Sequence, residues 1–179
     1  EISCGDITFG VSVETLTGIF HESNVIMFCP RFFFRNRLEV PINLCSVRGR
    51  RDSLKGSSLR SEWDDKDGKF SRTDMTVGPG EAAVIFVFQD VTGGGIHIGN
   101  SSERLVCFRT IDPDTQEKST KIHFVPVDTL TSHYFSESST HRSVDTILSS
   151  KNTKNGPSTV VTIEDCSHKP PYRLENRSC

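Results

Sequence analysis

The aspartates, glycines and histidines of this chain are the first candidates for binding a metal or a phosphate. The run Asp64–Gly68 has the carboxylates of a calcium loop. Placing Gly68 at the sixth loop position puts Trp63 first and Asp74 twelfth, so the ligand pattern fails. The glycines at 93–95 do not complete a G-x-G-x-x-G motif, and no Gly-Lys-Ser/Thr follows. The sequence therefore predicts no metal site and no cofactor site.

Nucleophilic catalysis would require a histidine beside a serine or cysteine. None of the histidines is spaced as a metal pair, and there is no G-x-S-x-G elbow; they are His21, His97, His123, His133, His141 and His168. We predict no catalytic residue and no enzyme, and a hydrolase assembled in space on a β scaffold is a third alternative. The formal net charge of -2 predicts no nucleic-acid partner.

The cysteines leave two classes of protein open. The six are Cys4, Cys29, Cys45, Cys107, Cys166 and Cys179. An even count allows a disulfide framework, as in a secreted β-sandwich adhesion or surface protein. However, 179 residues can bury a core without disulfides, and a free thiol in a strand packs as a small apolar group. Thiol titration of the denatured chain separates the classes, because a secreted protein would show no free thiols and a cytoplasmic one would show six.

Strand periodicity is clearest from Phe32 to Leu44. Even positions are apolar except Asn36 and odd positions are mostly polar, which places one face of an extended chain on a core. The stretch is too long for one ordinary strand, so we predict two strands with a turn or bulge near Arg37 to Pro41. Asn36 falls on the inward phase. It is either buried and bonded to the backbone of a neighbouring loop, or turned outward by a bulge.

Short strands and turns recur along most of the chain. Further strands are predicted at Ile7–Val13, Val25–Phe28, Met75–Val77, Ala83–Phe88, Gly95–Ile98, Leu105–Thr110, Lys121–Val127 and Thr159–Glu164. Glycine and proline turn signals separate many of them. The best helix candidate, Ser143–Ser150, is weak. The pattern predicts an all-β fold, an antiparallel β-sandwich.

An eight-residue pattern occurs twice: Pro, any residue, aromatic, any, apolar, any, Asn, Arg. One copy contains Pro30 and Asn36, and the other contains Pro170 and Asn176. Repetition at a fixed offset is typical of a repeat array, so we interpret these four as structural motif residues. We predict a fragment of a longer protein, with a β-sandwich module at 1–128 and the first strands of the next repeat at 159–179. Residues 129–158, rich in Ser and Thr with few apolar anchors, are predicted to be a flexible connector.

Arginines concentrate around the first copy of the motif. They are Arg31, Arg35, Arg37, Arg48, Arg50 and Arg51. Because acidic residues elsewhere balance them, one interpretation is a solvated rim. The other is a contact to an acidic peptide or to lipid headgroups.

Two stretches carry a family resemblance. NVIMFCPRFFFRNRLEVPINL, followed by MTVGPGEAAVIF, resembles the repeats of the chorein, or vacuolar protein sorting-associated thirteen, family, and STVVTIEDCSHKPPYRLENRS resembles the opening of the next repeat. The resemblance covers roughly Gly10 to Thr110 and Thr159 to Cys179. The part of these proteins that the chain resembles is the adaptor-binding, or SHORT-ROOT-binding-like, region.

The resemblance implies a fold and a role. The family's parent proteins are long, cytoplasmic bridges that conduct phospholipids at organelle membrane contact sites. The region implied here is a chain of β-sandwich repeats, each with a characteristic Asn that Asn36 and Asn176 match. Its implied partners are adaptor proteins with short Pro-containing motifs and neighbouring repeats of the same chain. Membrane association is implied to be peripheral, through the parent.

Overall fold

The computed structural model describes residues 1–4, 7–49, 73–90, 103–137 and 146–168, and these are mostly β-strand. Within them the strands are β1 (Ile2–Cys4), β2 (Ile7–Thr15), β3 (Asn24–Pro30), β4 (Phe32–Asn36), β5 (Ile42–Gly49), β6 (Met75–Val77), β7 (Ala82–Ile85), β8 (Gln89–Asp90), β9 (Glu103–Thr110), β10 (His123–Pro126), β11 (Ser132–Glu137), β12 (Thr146–Asn155) and β13 (Ser158–Asp165). A 3₁₀ turn covers Gly18–Phe20. The prediction of an all-β fold is confirmed. No helix in the described part of the chain has the length and apolarity to cross a membrane.

Two five-stranded sheets form the sandwich. The β4 sheet has the order β11-β12-β13-β4-β7, and the β5 sheet has the order β10-β9-β5-β6 with β8 also paired to β5. Most neighbours are antiparallel, as predicted, but β13 pairs with β4 and β8 with β5 in parallel. A third sheet contains β1, β2 and β3, and its β2–β3 pair is a long hairpin.

The core lies between the β4 and β5 sheets because their inward positions are apolar. Phe34 of β4 meets Phe108 of β9 with ring centroids 6.2 Å apart, and Phe32 meets Phe88 edge-on at 5.4 Å. Such tilted and T-shaped aromatic pairs are favourable beyond their buried area. The buried cluster comprises Phe32, Phe34, Leu38, Ile42, Leu44, Val77, Ile85, Phe88, Val106, Phe108, Val125, Val127, Leu148, Val161 and Ile163.

The predicted division of the first long apolar run is confirmed. Strand β4 ends at Asn36, residues 38–40 bend, and β5 begins at Ile42. The alternation in β4 is also as predicted, since Phe32, Phe34 and Asn36 are all buried. The candidate strand at 95–98 lies outside the described residues.

The structure corrects the prediction for the stretch 129–158. Residues 132–137 and 146–155 form β11 and β12 instead of a flexible connector, and residues 146–150 of the weak helix candidate are strand in β12. Strand β13, assigned to the next repeat, lies in the β4 sheet beside β4 and contributes Val161 and Ile163 to the same core. Polar composition misled the prediction because the inward positions of β12 include Ser150 and Asn152, which are buried despite their polarity.

Four cysteines in the described part of the chain are free thiols. They are Cys29, Cys45, Cys107 and Cys166. Cys45 and Cys107 face each other across the β5–β9 ladder and are fully buried, with Val47 and Leu105 packed beside them. Burial raises the pKa of the Cys45 thiol well above its ordinary value, and its interaction with Cys107 raises the pKa further. The Cys45 thiol is therefore protonated, and both thiols are shielded from solvent.

Thiol reactivity tests this arrangement. In the folded chain, a disulfide-exchange reagent is expected to leave Cys45 and Cys107 unmodified, because the reactive species is an accessible thiolate. After denaturation without reductant, all four free cysteines should react within the time of mixing. Peptide mapping of the labelled chain identifies each site. Resistance of Cys45 or Cys107 after denaturation would indicate a disulfide and would contradict the assignment.

Candidate interaction surface

The first motif copy forms a corner between β3 and β4. Pro30 ends β3, and its carbonyl accepts a hydrogen bond from Ser158 Oγ at 2.7 Å. The carbonyl of Arg31 accepts one from the Thr159 N–H at 2.8 Å. The start of β13 therefore fixes the corner at which the hairpin meets the sandwich.

The Arg31 side chain strengthens the same corner. Its Nη1 donates to the Pro157 carbonyl at 2.9 Å and to Thr159 Oγ1 at 3.1 Å. Its guanidinium carbon lies 5.1 Å from the Phe32 ring centroid, within cation–π range. Its Nε lies 3.5 Å from Glu1 Oε2. The sequence suggested either a solvated rim or a contact site for Arg31, but part of its side chain stabilises the fold.

A second guanidinium meets the same ring. Arg104 lies 4.8 Å from the Phe32 centroid and donates to Asp128 at 3.0 Å and to Glu1 at 2.6 Å. Burial disfavours the charged form of Arg104, but these hydrogen bonds outweigh it and raise its pKa. The hydrogen bond from Arg104 lowers the pKa of Glu1 against a smaller effect of burial. The Glu1 carboxylate is therefore held between two guanidinium groups.

The base of the hairpin packs tightly on the turn between β12 and β13. A Cβ atom on Gly10 would lie 2.7 Å from the Pro157 carbonyl oxygen, so a larger residue would push the hairpin away. Cys29 lies opposite Gly10 on β3, and its sulfur is 3.4 Å from Ser158 Oγ. This close approach sets the position of the hairpin relative to the sandwich.

An open cleft of about 380 Å³ lies at this junction. It is lined by Glu1, Val11, Ser12, Arg31, Lys154, Gly156 and Pro157. Its size is at the lower end of the range for small-ligand sites. The lining combines apolar surface with a hydroxyl, a carboxylate and two cations, so the cleft can accommodate a short extended peptide better than a large apolar ligand.

Beyond the cleft, one face of the β2–β3 hairpin is apolar and exposed. Val11 pairs with Phe28 and Val13 pairs with Ile26, so these four side chains share a face. Val13, Ile26 and Phe28 are 62%, 59% and 62% exposed. The sequence predicted both strands but not this exposure.

Asn36 is wholly buried at the end of β4. Its Nδ2 lies 2.9 Å from the Val40 carbonyl and 3.1 Å from the Val77 and Gly78 carbonyls, while its Oδ1 accepts from the Leu38 N–H at 2.9 Å. The buried alternative, and not the outward bulge, describes the structure. Asn176 and Pro170 lie outside the described residues.

A buried acid–base pair joins β10 to β11. His123 Nε2 is 2.6 Å from Glu137 Oε2, and Thr110 Oγ1 donates to Glu137 at 2.9 Å. The His123 ring lies between Phe108 and Phe135, with centroids 5.0 and 4.8 Å away. Burial would raise the pKa of Glu137, but hydrogen bonds from His123, Ser119 and Thr110 outweigh it and lower the pKa. The histidine spacing in the sequence gave no signal for this pair, because its members meet only across two strands.

The other arginines of the basic segment are surface residues where they are described. Arg35 is exposed, Arg37 lies 3.8 Å from Glu164, and Arg48 lies 3.9 Å from Asp90. Arg50 and Arg51 lie outside the described residues. The solvated-rim interpretation therefore fits Arg35, Arg37 and Arg48.

A two-sheet sandwich with a junction cleft and an exposed apolar hairpin defines a β-sandwich interaction module. Comparison with protein families matches residues 4–179 to the one described as "Vacuolar-sorting associated protein 13, adaptor binding domain". The match covers nearly the whole chain, and the chain belongs to this family. It is a protein-interaction module of a vacuolar-sorting-associated-protein-13-type protein. A search of curated proteins finds no match.

Proposed function

We propose that this chain is a non-catalytic module that recruits a bridge-like lipid-transfer protein to organelle membrane contact sites. Recruitment runs through adaptor proteins with short Pro-containing motifs. The parent protein is then cytoplasmic and peripheral at the membrane. The family assignment supports an adaptor partner, and the cleft at the hairpin junction is the observation that carries the proposal to a particular surface.

The cleft suits a proline-containing peptide for three reasons. A Pro-x-Pro segment is already extended in the polyproline conformation, so it loses little entropy on binding. Val11 and the aliphatic stems of Arg31 and Lys154 offer apolar contact to proline rings. Ser12 and Lys154 supply donors for the peptide carbonyls, which lack internal hydrogen bonds in this conformation.

Calorimetric titration with Pro-x-Pro peptides tests the proposal. We expect a dissociation constant of about micromolar or weaker, because a short peptide buries little area. Ser12→Arg introduces a long side chain into the cleft and is expected to weaken binding at least about tenfold. Ser132→Arg makes the same change on the exposed strand β11 and should leave binding unaltered. If the two variants bind the peptide with equal affinity, the cleft is not the binding site.

A further inference from the structure

Each copy of the repeated motif follows a long antiparallel hairpin. Strands β2 and β3, of 9 and 7 residues, lead directly into Pro30. Strands β12 and β13, of 10 and 8 residues, are followed within a few residues by Pro170. The two hairpins therefore hold equivalent places in the sequence relative to the two motif copies, although the structure places them in different surroundings.

The second hairpin is built into the sandwich of the first repeat. It lies between β11 and β4, with β12 antiparallel to β11 and β13 parallel to β4. Val161 and Ile163 of β13 are fully buried, and Leu148 of β12 is nearly so. Without this hairpin, the β4 sheet would lose its centre and the core would open along one side.

The first hairpin carries a pair of apolar residues with the same spacing, and in the described part of the chain this pair is exposed. Ile26 and Phe28, spaced two residues apart on β3 like Val161 and Ile163 on β13, are more than half exposed. Strand β3 is the last strand of its sheet, so its outer edge has no strand partner among the described residues. A hairpin with an exposed apolar face and an unpaired edge can insert into another sheet that lacks a strand at that position.

We infer that the β2–β3 hairpin is a donor hairpin that completes the β-sandwich of a preceding module of the same type. It would occupy there the position that β12–β13 occupies here, parallel to that module's own β4. Each hairpin then belongs in sequence to one repeat and in space to the repeat before it. Neighbouring modules are joined by a shared sheet and not by contact of two finished surfaces.

The contacts at the hairpin base fit this arrangement. The turn of the inserted hairpin meets the base of the β2–β3 hairpin, where Pro157 touches Gly10 and Ser158 donates to Pro30. In an array, the tip of each inserted hairpin would meet the base of the hairpin one module earlier. The cleft at this base is therefore a feature of every junction, and the inference stands whether or not the cleft binds an adaptor peptide.

A tandem chain tests the inference directly. Residues 1–145 of a first copy, which lack β12 and β13, are joined to the complete chain as a second copy. The first copy then lacks a hairpin between its β11 and its β4. The hairpin available to take that position is β2–β3 of the second copy. The β4 peptide occurs once in each copy. Hydrogen exchange followed by mass spectrometry is expected to show one protected envelope for this peptide, because both sandwiches are complete.

Substitutions on the two faces of β3 provide the matched comparison. Ile26→Asp with Phe28→Asp in the second copy places charges on the apolar face, and about half of the β4 peptide should move to a fully exchanged envelope. Val25→Asp with Met27→Asp places the same charges on the opposite face, where the cross-strand partners are Glu14 and Ser12, and should keep one envelope. In the single chain, neither pair should shift the midpoint of unfolding.

Two results would overturn the inference. One is a fully exchanged β4 envelope in the unsubstituted tandem, since the first copy would then remain open. The other is the same exchange pattern for both pairs of aspartates. Either would show that β2–β3 cannot replace β12–β13, whereas the peptide titration above would be unaffected.

Discussion

Asn36→Ala is expected to lower the free energy of unfolding by roughly 3 kcal/mol. The amide of Asn36 joins the turn after β4 to the loop after β6, through the Val40, Val77 and Gly78 carbonyls. Its loss leaves these carbonyls and the Leu38 N–H short of partners in a site where water has little access. Chemical denaturation with a constant slope would measure the change. The variant should keep its fold at low denaturant, because the surrounding core is apolar and unchanged.

Two further variants distinguish the amide from its volume. Asn36→Asp preserves the shape but presents a carboxylate to three carbonyl oxygens, so it should cost more than alanine at neutral pH. Asn24→Ala removes an asparagine whose Oδ1 accepts an exposed bond from Thr15, and it should change stability by less than about 0.5 kcal/mol. An Asn36→Ala midpoint equal to that of the parent chain would show that the motif asparagine does not stabilise the module.

Local pattern predicted the elements whose two faces differ in polarity. Strand β4 and the start of β5 follow from alternation, because buried apolar residues such as Phe34 and Ile42 recur at even positions while the odd positions between them are mostly polar. Asn36 could be placed on the inward phase for the same reason. Its particular acceptors could not be predicted, since two of them lie more than forty residues away in sequence.

Strand β12 shows where composition fails. Its inward Asn152 is buried because the side chain donates to the carbonyls of Pro126 and Thr129, at 2.6 and 2.7 Å. Hydrogen bonds to backbone thus replace apolar contacts, and the segment has the composition of a connector. Polarity alone cannot separate a solvated loop from a strand whose buried side-chain amide donates to backbone carbonyls.

The interaction surface could not be predicted from the sequence pattern, for a different reason. Alternation in β2 indicates that one face of this strand will be covered, but it does not indicate which element covers it. The pairs Val11–Phe28 and Val13–Ile26, and the exposure of Val13, Ile26 and Phe28, are visible only when both strands are placed among the described residues. The cleft likewise depends on the approach of Gly10 to Pro157, which are far apart in sequence.

Glu137→Ala is expected to cost about 3–5 kcal/mol, since it removes one partner of a buried, hydrogen-bonded acid–base pair. His123 would lose its 2.6 Å contact while remaining enclosed by Phe108 and Phe135. Replacing both members, His123→Phe with Glu137→Met, should recover most of the loss, because the site then matches its apolar surroundings. Glu117→Ala changes an exposed glutamate and is the control. A double variant as unstable as Glu137→Ala would contradict the explanation.

The pair also makes stability depend on pH, with a definite sign. The pKa of Glu137 in the folded chain lies below its ordinary value of 4.5, because hydrogen bonds to the carboxylate outweigh the cost of burying it. The unfolded chain therefore binds this proton first as the pH falls, so the contribution is complete above pH 4.5 and is lost as the pH falls through the folded pKa. Glu137→Gln keeps the shape and removes the titration. Its destabilisation relative to the parent chain should be largest near neutral pH and should shrink below pH 4.5. Denaturation midpoints of both chains across that range measure it, and a difference that stays constant with pH would assign the effect to shape and not to charge.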